Sequence, residues 1–314
     1  MYTTPMVANR SGIFGTNTEP PSPEPSFNGK VILWICILVS LLLMSWLTSI
    51  FSIPNEPGFS DSLLQQDHWL VSLFVLAVGM VIVMFASAVL GSSLRPDAPV
   101  FCTALACGVI SWRGGTMQFT LFAAGGPGVF FSLAFEAVLL FAVLAACWQF
   151  LAEARDRTGT ASPAESPIVE TGDESSPDES TLDEKLLATF THAAAMMALM
   201  ILLCRDDAKN QVLASVGISS AVGAAIAMQF VKVRSSFWLW IGPLAVALFG
   251  YLFTAFHAEG WQTGVLHGPL AALARPLPLD YLCMGPAGAI FGYWLSSTGT
   301  NQEELPDAEA APSN

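Results

Sequence analysis

One acidic residue, Glu136, interrupts a long apolar stretch with the sequence AFEAVLLFAVL. A charged side chain inside a bilayer costs about 2.5–3.5 kcal/mol on insertion scales, so it normally faces the interior of a helix bundle or a wet cavity. A carboxyl group in that position can take up a proton or hold a cation. The alternative is a carboxyl group that hydrogen-bonds a neighbouring helix and only fixes its packing.

Arg113 and His192 are the other candidates for a transport or proton site. Arg113 ends the preceding apolar segment, and an arginine can reach inward by laying its stem along apolar surface. It is therefore a natural counter-ion for Glu136, unless it simply extends to the membrane interface. His192, in the sequence TFTHAAAMMALM, lies about two turns into the fifth apolar segment, and histidine is a side chain that titrates near neutrality. It either relays protons or stays neutral and hydrogen-bonded to a neighbouring helix.

Three further side chains, His257, Glu259 and His267, fall in or beside one predicted outer loop. Imidazole and carboxylate groups are zinc ligands, so together they would suit a metal-dependent membrane enzyme. Their spacing matches no established metal motif, and the chain contains no P-loop or dinucleotide fingerprint. We therefore expect an ordinary interfacial cluster here, with no cofactor and no catalytic residues.

Small residues recur at every fourth position in two other apolar segments. Such rows let helix backbones approach closely, which drives helix packing in lipid. We interpret both rows as packing faces rather than as a substrate path. The rows are Ser215, Ser219, Gly223 and Ala227 in one segment, and Gly288, Gly292 and Ser296 in the other.

The elements that position these residues are apolar segments of membrane-spanning length. The 314-residue chain is 53% hydrophobic and 12% charged, whereas a soluble domain carries about 25% charge. About 20 apolar residues in a helix cross the hydrocarbon core, and a spanning segment must be helical to pair its backbone polar groups. The sequence therefore predicts an all-α polytopic integral membrane bundle of about eight transmembrane helices. The segments are 31–51, 69–90, 98–112, 129–151, 186–204, 212–231, 237–256 and 281–297. The third and eighth are short for a full crossing.

A polar stretch divides the eight segments into two groups of four. Residues 152–185 are rich in serine, threonine, proline and acids, which is typical of a flexible linker. The remaining predicted units are a disordered tail at 1–29, membrane halves at 30–151 and 186–297, and an acidic disordered tail at 298–314. In each half an arginine precedes a Gly-Pro step, which fits either a distant parallel repeat, as in some transporters, or coincidence.

Basic residues orient the bundle. They are more frequent in the connecting segments that lie inside if the N-terminus is cytoplasmic, and an even number of spans returns the C-terminus to the same side. We therefore expect a protein of the cell membrane with both termini and the linker in the cytoplasm. The net charge of −13 comes mostly from the linker and the C-terminal tail. Without clusters of lysine and arginine, nucleic-acid binding is not expected.

The predicted function is transport of a small solute or an ion, using Glu136. One alternative is a non-catalytic structural or assembly protein that packs with itself or with a partner subunit in the bilayer. The other is a metal-dependent enzyme using His257, Glu259 and His267 at the outer face.

The linker supplies a first test of the topology. Protease is expected to cut within residues 152–185 before it cuts elsewhere, because an extended polar chain is accessible to it. In sealed vesicles of known orientation, fragment masses should show this cut only when the protease reaches the cytoplasmic face. Cleavage of the linker from the outer face would contradict the predicted orientation.

Overall fold

The computed structural model describes residues 27–51, 62–65, 69–92, 94–124, 126–157, 181–231, 233, 235–257, 266, 268 and 270–299. Within these ranges the chain forms helices and turns and contains no strand, which confirms the all-α prediction. A single 3₁₀ turn, Leu63–Gln65, lies between the first two helices. The α-helices are α1 Phe27–Phe51, α2 Trp69–Leu90, α3 Ala98–Arg113, α4 Met117–Ala123, α5 Val129–Arg157, α6 Leu182–Leu203, α7 Lys209–Phe230, α8 Phe237–Phe256, α9 Ala271–Ala274 and α10 Pro278–Gly299.

Six helices in the described part of the chain are long and apolar enough to cross a membrane, namely α1, α2, α5, α6, α7 and α8. The chain is therefore a multi-pass membrane protein. Of the two segments that were short for a crossing, α3 has 16 residues, and α10 is interrupted by polar and small residues. The count of eight crossings remains a prediction.

α10 is the innermost helix of the bundle. It packs against α3, α5, α7 and α8, and the side chains of Tyr281, Leu282 and Ile290 are fully buried. α3 also lies inside, between α10, α1 and α2. Most of the surface of these two helices contacts protein and needs no compatibility with lipid, although Phe291 and Leu295 of α10 are about half exposed. This position explains why these two segments have the weakest hydrophobic signal in the sequence.

The peripheral helices present large apolar side chains to their surroundings. On α1, Trp34 and Leu42 are more than half exposed, and the same holds for Phe74 on α2 and Phe190 on α6. Exposed apolar surface of this extent is typical of contact with another apolar phase. These faces contact the lipid bilayer.

Both ends of the segment predicted as a linker are helical. α5 continues to Arg157, and α6 begins at Leu182 after a capping box formed by Thr181 and Glu184. Residues 158–180 lie outside the described part of the chain, as do 1–26 and 300–314. The helices before and after the linker pack on each other, since α10 contacts α3 and α5 and α8 contacts α5.

Glycines bring α10 directly against α7. A Cβ atom on Gly288 would lie 3.1 Å from the backbone nitrogen of Ala221, and one on Gly292 would collide with the Ala221 carbonyl group. The other predicted row is buried as well: Ser215 and Ser219 are inaccessible, and Gly223 faces α6 rather than α10.

The contact at Gly292 can be tested with a matched pair of substitutions. Gly292→Ala is expected to destabilise the protein by about 1–3 kcal/mol, because the added methyl group forces α7 and α10 apart. Gly108→Ala, in α3, is expected to be neutral or stabilising, because the nearest atom to its new Cβ lies 4.0 Å away and alanine favours the helix. Thermal unfolding in detergent measures both. Equal effects of the two substitutions would contradict the close contact between α7 and α10.

Candidate functional site

Glu136 holds the connection between α1 and α2. It lies about two turns into α5 and is 1% exposed. Its carboxylate accepts hydrogen bonds from the Ser62 hydroxyl group and from the backbone N–H groups of Leu63, at 3.1 Å, and Leu64, at 3.3 Å. These donors lie at the start of the 3₁₀ turn. The first N–H groups of a helical turn have no acceptor within the turn itself. Glu136 therefore caps this turn from a different helix.

Arg113 lies at the end of α3, on the same side of the bundle, which we call the Arg113 side. It is exposed, and its guanidinium group donates a hydrogen bond of 3.0 Å to the Ser45 hydroxyl of α1. The hydrogen bonds to Glu136 in the described part of the chain come from residues 62–64. The structure thus places Arg113 and Glu136 on one side without pairing them.

A second buried carboxylate, Asp280, lies in the first turn of α10 on the Arg113 side. One of its oxygens pairs with the Lys209 ammonium group at 2.7 Å and accepts a hydrogen bond from the Ser111 hydroxyl. The other accepts the backbone N–H of Leu277 at 2.9 Å. Asp280 is 1% exposed and Lys209 is 13% exposed. This carboxylate therefore joins the ends of α3, α7 and α10.

An ion pair between Arg275 and Asp207 lies beside Asp280. Arg275 Nε is 3.2 Å from the Asp207 carboxylate, and its Nη1 donates to the carbonyl of Cys204 at 2.5 Å. Burial raises the pKa of Asp207 above its ordinary value, Arg275 opposes that shift, and the Asp206 carboxylate adds to it. The pair fastens the turn between α6 and α7 to the segment that precedes α10.

Two buried tyrosines hydrogen-bond the segment that precedes α10. The Tyr251 hydroxyl donates to the carbonyl of Pro276 at 2.5 Å, and the Tyr281 hydroxyl donates to that of Leu273 at 2.7 Å. Their rings meet edge to face at 6.2 Å, and Tyr251 is close enough to both carboxylates to interact with them electrostatically. We define the polar cluster as Glu136, Asp280, Lys209, Ser111, Tyr251 and Tyr281.

The opposite side of the bundle has its own buried carboxylate, Asp97, just before α3. Both of its oxygens accept a hydrogen bond of 3.1 Å from the indole N–H of Trp294 in α10. Nearby, Arg95 donates to the Ser297 hydroxyl at 2.8 Å. α3 and α10 are thus joined by buried aspartates at both ends.

His192 lies near the middle of α6, is fully buried, and is separate from the polar cluster. Its Nε2 atom is 3.0 Å from the Ser220 carbonyl oxygen, and the Ser220 hydroxyl donates to the carbonyl of Gly285 at 2.7 Å. An Nε2 atom facing a carbonyl oxygen acts as the donor. A Cβ on Gly223 would lie 2.9 Å from the imidazole, and one on Gly242 would collide with it. His192 therefore fills a slot between glycines and links α6 to α7.

The metal hypothesis finds no support among the described residues. His257 ends α8, and its ring stacks on Phe253 at 4.4 Å. Glu259 and His267 lie outside the described ranges. Within those ranges no group of three His, Cys, Asp or Glu side chains is placed to hold a metal ion. The metal site formed with Glu259 and His267 stays an untested prediction.

Sequence reasoning missed Asp280 and Lys209, the most buried ion pair in the described part of the chain. The predicted apolar segments began at residues 281 and 212, so each charge was assigned to a loop just outside. The signal was the start of a helix: Pro278 is the first residue of α10, and Asp280 follows in its first turn. Applying that rule would have moved the helix start across Asp280.

Comparison of the chain with protein-family models, with curated proteins and with solved structures finds no match. The interpretation of the site therefore uses its own geometry.

The pair of Asp280 and Lys209 can be tested with a double-mutant cycle. Asp280→Asn and Lys209→Met are each expected to destabilise the protein, by up to about 3–5 kcal/mol, because each leaves an uncompensated buried charge. The double variant should cost clearly less than the two single costs added together. Asp206→Asn, at an exposed carboxylate of the adjoining turn, is the control and should change little. Thermal unfolding in detergent gives all four values, and simple additivity would contradict the pairing.

Proposed function

We propose that the protein moves an ion or a small solute across the membrane, and that protonation of Glu136 opens the connection between α1 and α2. The observation that carries this proposal is the arrangement of donors around Glu136. Ser62, Leu63 and Leu64 belong to one short turn, and the carboxylate that holds them belongs to another helix. Protonation of Glu136 therefore affects all the hydrogen bonds that this turn donates to α5.

The protonation state of the Glu136 carboxyl group determines whether it holds the 62–65 turn. An ionised carboxylate is an acceptor only, and hydrogen bonds to a charged group contribute about 1.5–3 kcal/mol each. Protonation removes the charge and turns one oxygen into a donor, which faces backbone N–H groups that are themselves donors. The hold on the turn weakens, and the Arg113 side of the bundle opens above the polar cluster.

The rest of the polar cluster supplies groups that a solute can engage once the turn is released. Lys209 and Asp280 offer one cation and one anion in a nearly dry setting, and a charged solute can replace either partner. The side chain of Tyr251 interacts electrostatically with both carboxylates, and that of Tyr281 interacts with Asp280. Intramembrane ionisable groups that face one another inside a bundle are typical of ion and solute pathways. His192 lies deeper and is assigned here to packing.

We propose further that the Arg113 side faces outward and that both termini are cytoplasmic. The excess of basic residues in the segments on the opposite side supports this orientation. The carboxyl group of Glu136 would then respond to the external pH.

A structural or assembly role is the second candidate, and one observation favours it. The partners of Glu136 and Asp280 are groups of the protein itself, drawn from α3, α7, the residue that precedes α10 and the 62–65 turn. Carboxylates with such partners can have the joining of helices as their whole role. In that case their removal would lower stability and leave every flux unchanged.

Purified protein in sealed vesicles with a pH-sensitive dye inside separates the two candidates. An imposed pH gradient should drive proton flux through the wild-type protein. Glu136→Gln mimics the protonated form, in which the turn is released, but its side chain can neither take up nor give back a proton. A proton flux carried by this carboxyl group is therefore expected to fall about tenfold or more, and tenfold corresponds to only 1.4 kcal/mol. Glu153→Gln, the same change at an exposed glutamate of α5, is the matched control and should retain flux.

Amide hydrogen exchange completes this experiment. Glu136→Gln should speed exchange at Leu63 and Leu64 while helix amides elsewhere stay protected, which distinguishes a released turn from a misfolded protein. Lower stability with unchanged flux would reject the transport proposal in favour of the structural role.

A further inference from the structure

An apolar groove runs along the surface of the bundle between α7, α3 and α10. Its cavity volume is 660 Å³, within the range of ligand sites, and it opens toward the surrounding lipid. Gly217, Ala221 and Ala225 of α7 and Gly288 of α10 form much of its wall, so the groove exists because these side chains are small.

A second cavity of 470 Å³ continues the groove toward the Arg113 side. The two cavities share Leu105, Ala214 and Met284 in their walls. Measured along α7 from Asn210 to Gln229, the combined groove is about 28 Å long at 1.5 Å per residue. It is therefore a continuous groove on the lipid-facing surface, long enough for one extended acyl chain and its headgroup.

The two ends of this groove differ in chemistry. At the Arg113 side the wall includes Trp112, Arg113 and Asn210, which are exposed. The rest of the groove is lined by aliphatic and aromatic side chains, apart from the uncharged Gln229 at its far end. Tryptophan is enriched at the level of lipid headgroups, and a guanidinium group matches the geometry of a phosphate. The groove thus presents a cation and an amide at headgroup depth and hydrocarbon-like surface below them.

We propose that a phospholipid of the surrounding bilayer occupies this groove as a specific ligand. One acyl chain lies along α7 over its small residues, and the phosphate binds at Arg113 and Asn210. Charge complementarity selects this occupant over a helix of a second copy, because a helix entering the same groove would place apolar side chains against the guanidinium group. Lipids with a net negative headgroup bind most tightly, since the rim is cationic.

The experiment is native mass spectrometry of the full-length protein, released from nanodiscs of phosphatidylcholine with an equal share of phosphatidylglycerol. The wild-type protein should retain one lipid, with phosphatidylglycerol preferred. Ala214→Phe fills the groove where its two cavities join, and this exposed position has room for the larger side chain. It should abolish retention. Arg113→Gln should lower the preference for the anionic lipid about tenfold, as loss of a charge-assisted hydrogen bond implies.

Matched controls lie on α6 and in the turn that follows it. Ala198→Phe adds the same ring at another exposed alanine, at a similar distance from the same end of the bundle, and Arg205→Gln removes an exposed arginine nearby. Both should keep the lipid and its headgroup preference. Retention that survives Ala214→Phe would overturn the proposal. So would a wild-type protein that carries no lipid but forms a dimer that Ala214→Phe disrupts, because a second copy would then fill the groove.

Discussion

The burial of α10 among α3, α5, α7 and α8 is the constraint on which the rest of the structure depends. Between helices in lipid there is no hydrophobic driving force, so close packing and buried hydrogen bonds must hold an inner helix in place. α10 uses both. Gly288 and Gly292 bring it against the backbone of α7, and Asp280 and Trp294 fasten its two ends to α3. Its polar residues are therefore concentrated near the ends, where the carboxylates find donors.

The same constraint decides how much of the fold could be predicted from the sequence. Apolar length identifies helices that face lipid, and the six helices that meet this criterion were all predicted as spans. α3 and α10 gave the weakest signals because hydropathy measures compatibility with lipid, whereas most of the surface of these helices contacts protein. The row of Gly288 and Gly292 was recognisable from its spacing, but its partner surface, from Gly217 to Ala221, was not. Which faces meet depends on how α7 is rotated in the assembled bundle.

The candidate site was predictable only in part, for a related reason. Glu136 is conspicuous because it is the only charge in its apolar run. Its donors at Ser62 and Leu63 are more than 70 residues away in the sequence, in a loop without a distinctive pattern. Arg113 was the nearest basic residue predicted at the same end of the bundle, yet its place is at the rim beside α1. Asp280 was overlooked because the start of α10 was placed at residue 281, three residues too late. Whether a charge is assigned to a helix or to a loop thus depends on a boundary error of a few residues.

The start of α7 connects the groove to the polar cluster. Lys209 and Asn210 are consecutive residues, and consecutive helical residues point about 100° apart, at 3.6 residues per turn. Lys209 points inward to Asp280, and Asn210 lines the groove beside Arg113. Any force that a bound headgroup exerts on this turn therefore also acts on Lys209, the ion-pair partner of Asp280. Because protein interiors are close-packed, a displacement of α7 on its lipid-facing side also displaces the helices packed against it. The proposed lipid and the ion pair of Lys209 and Asp280 thus both contact the first turn of α7.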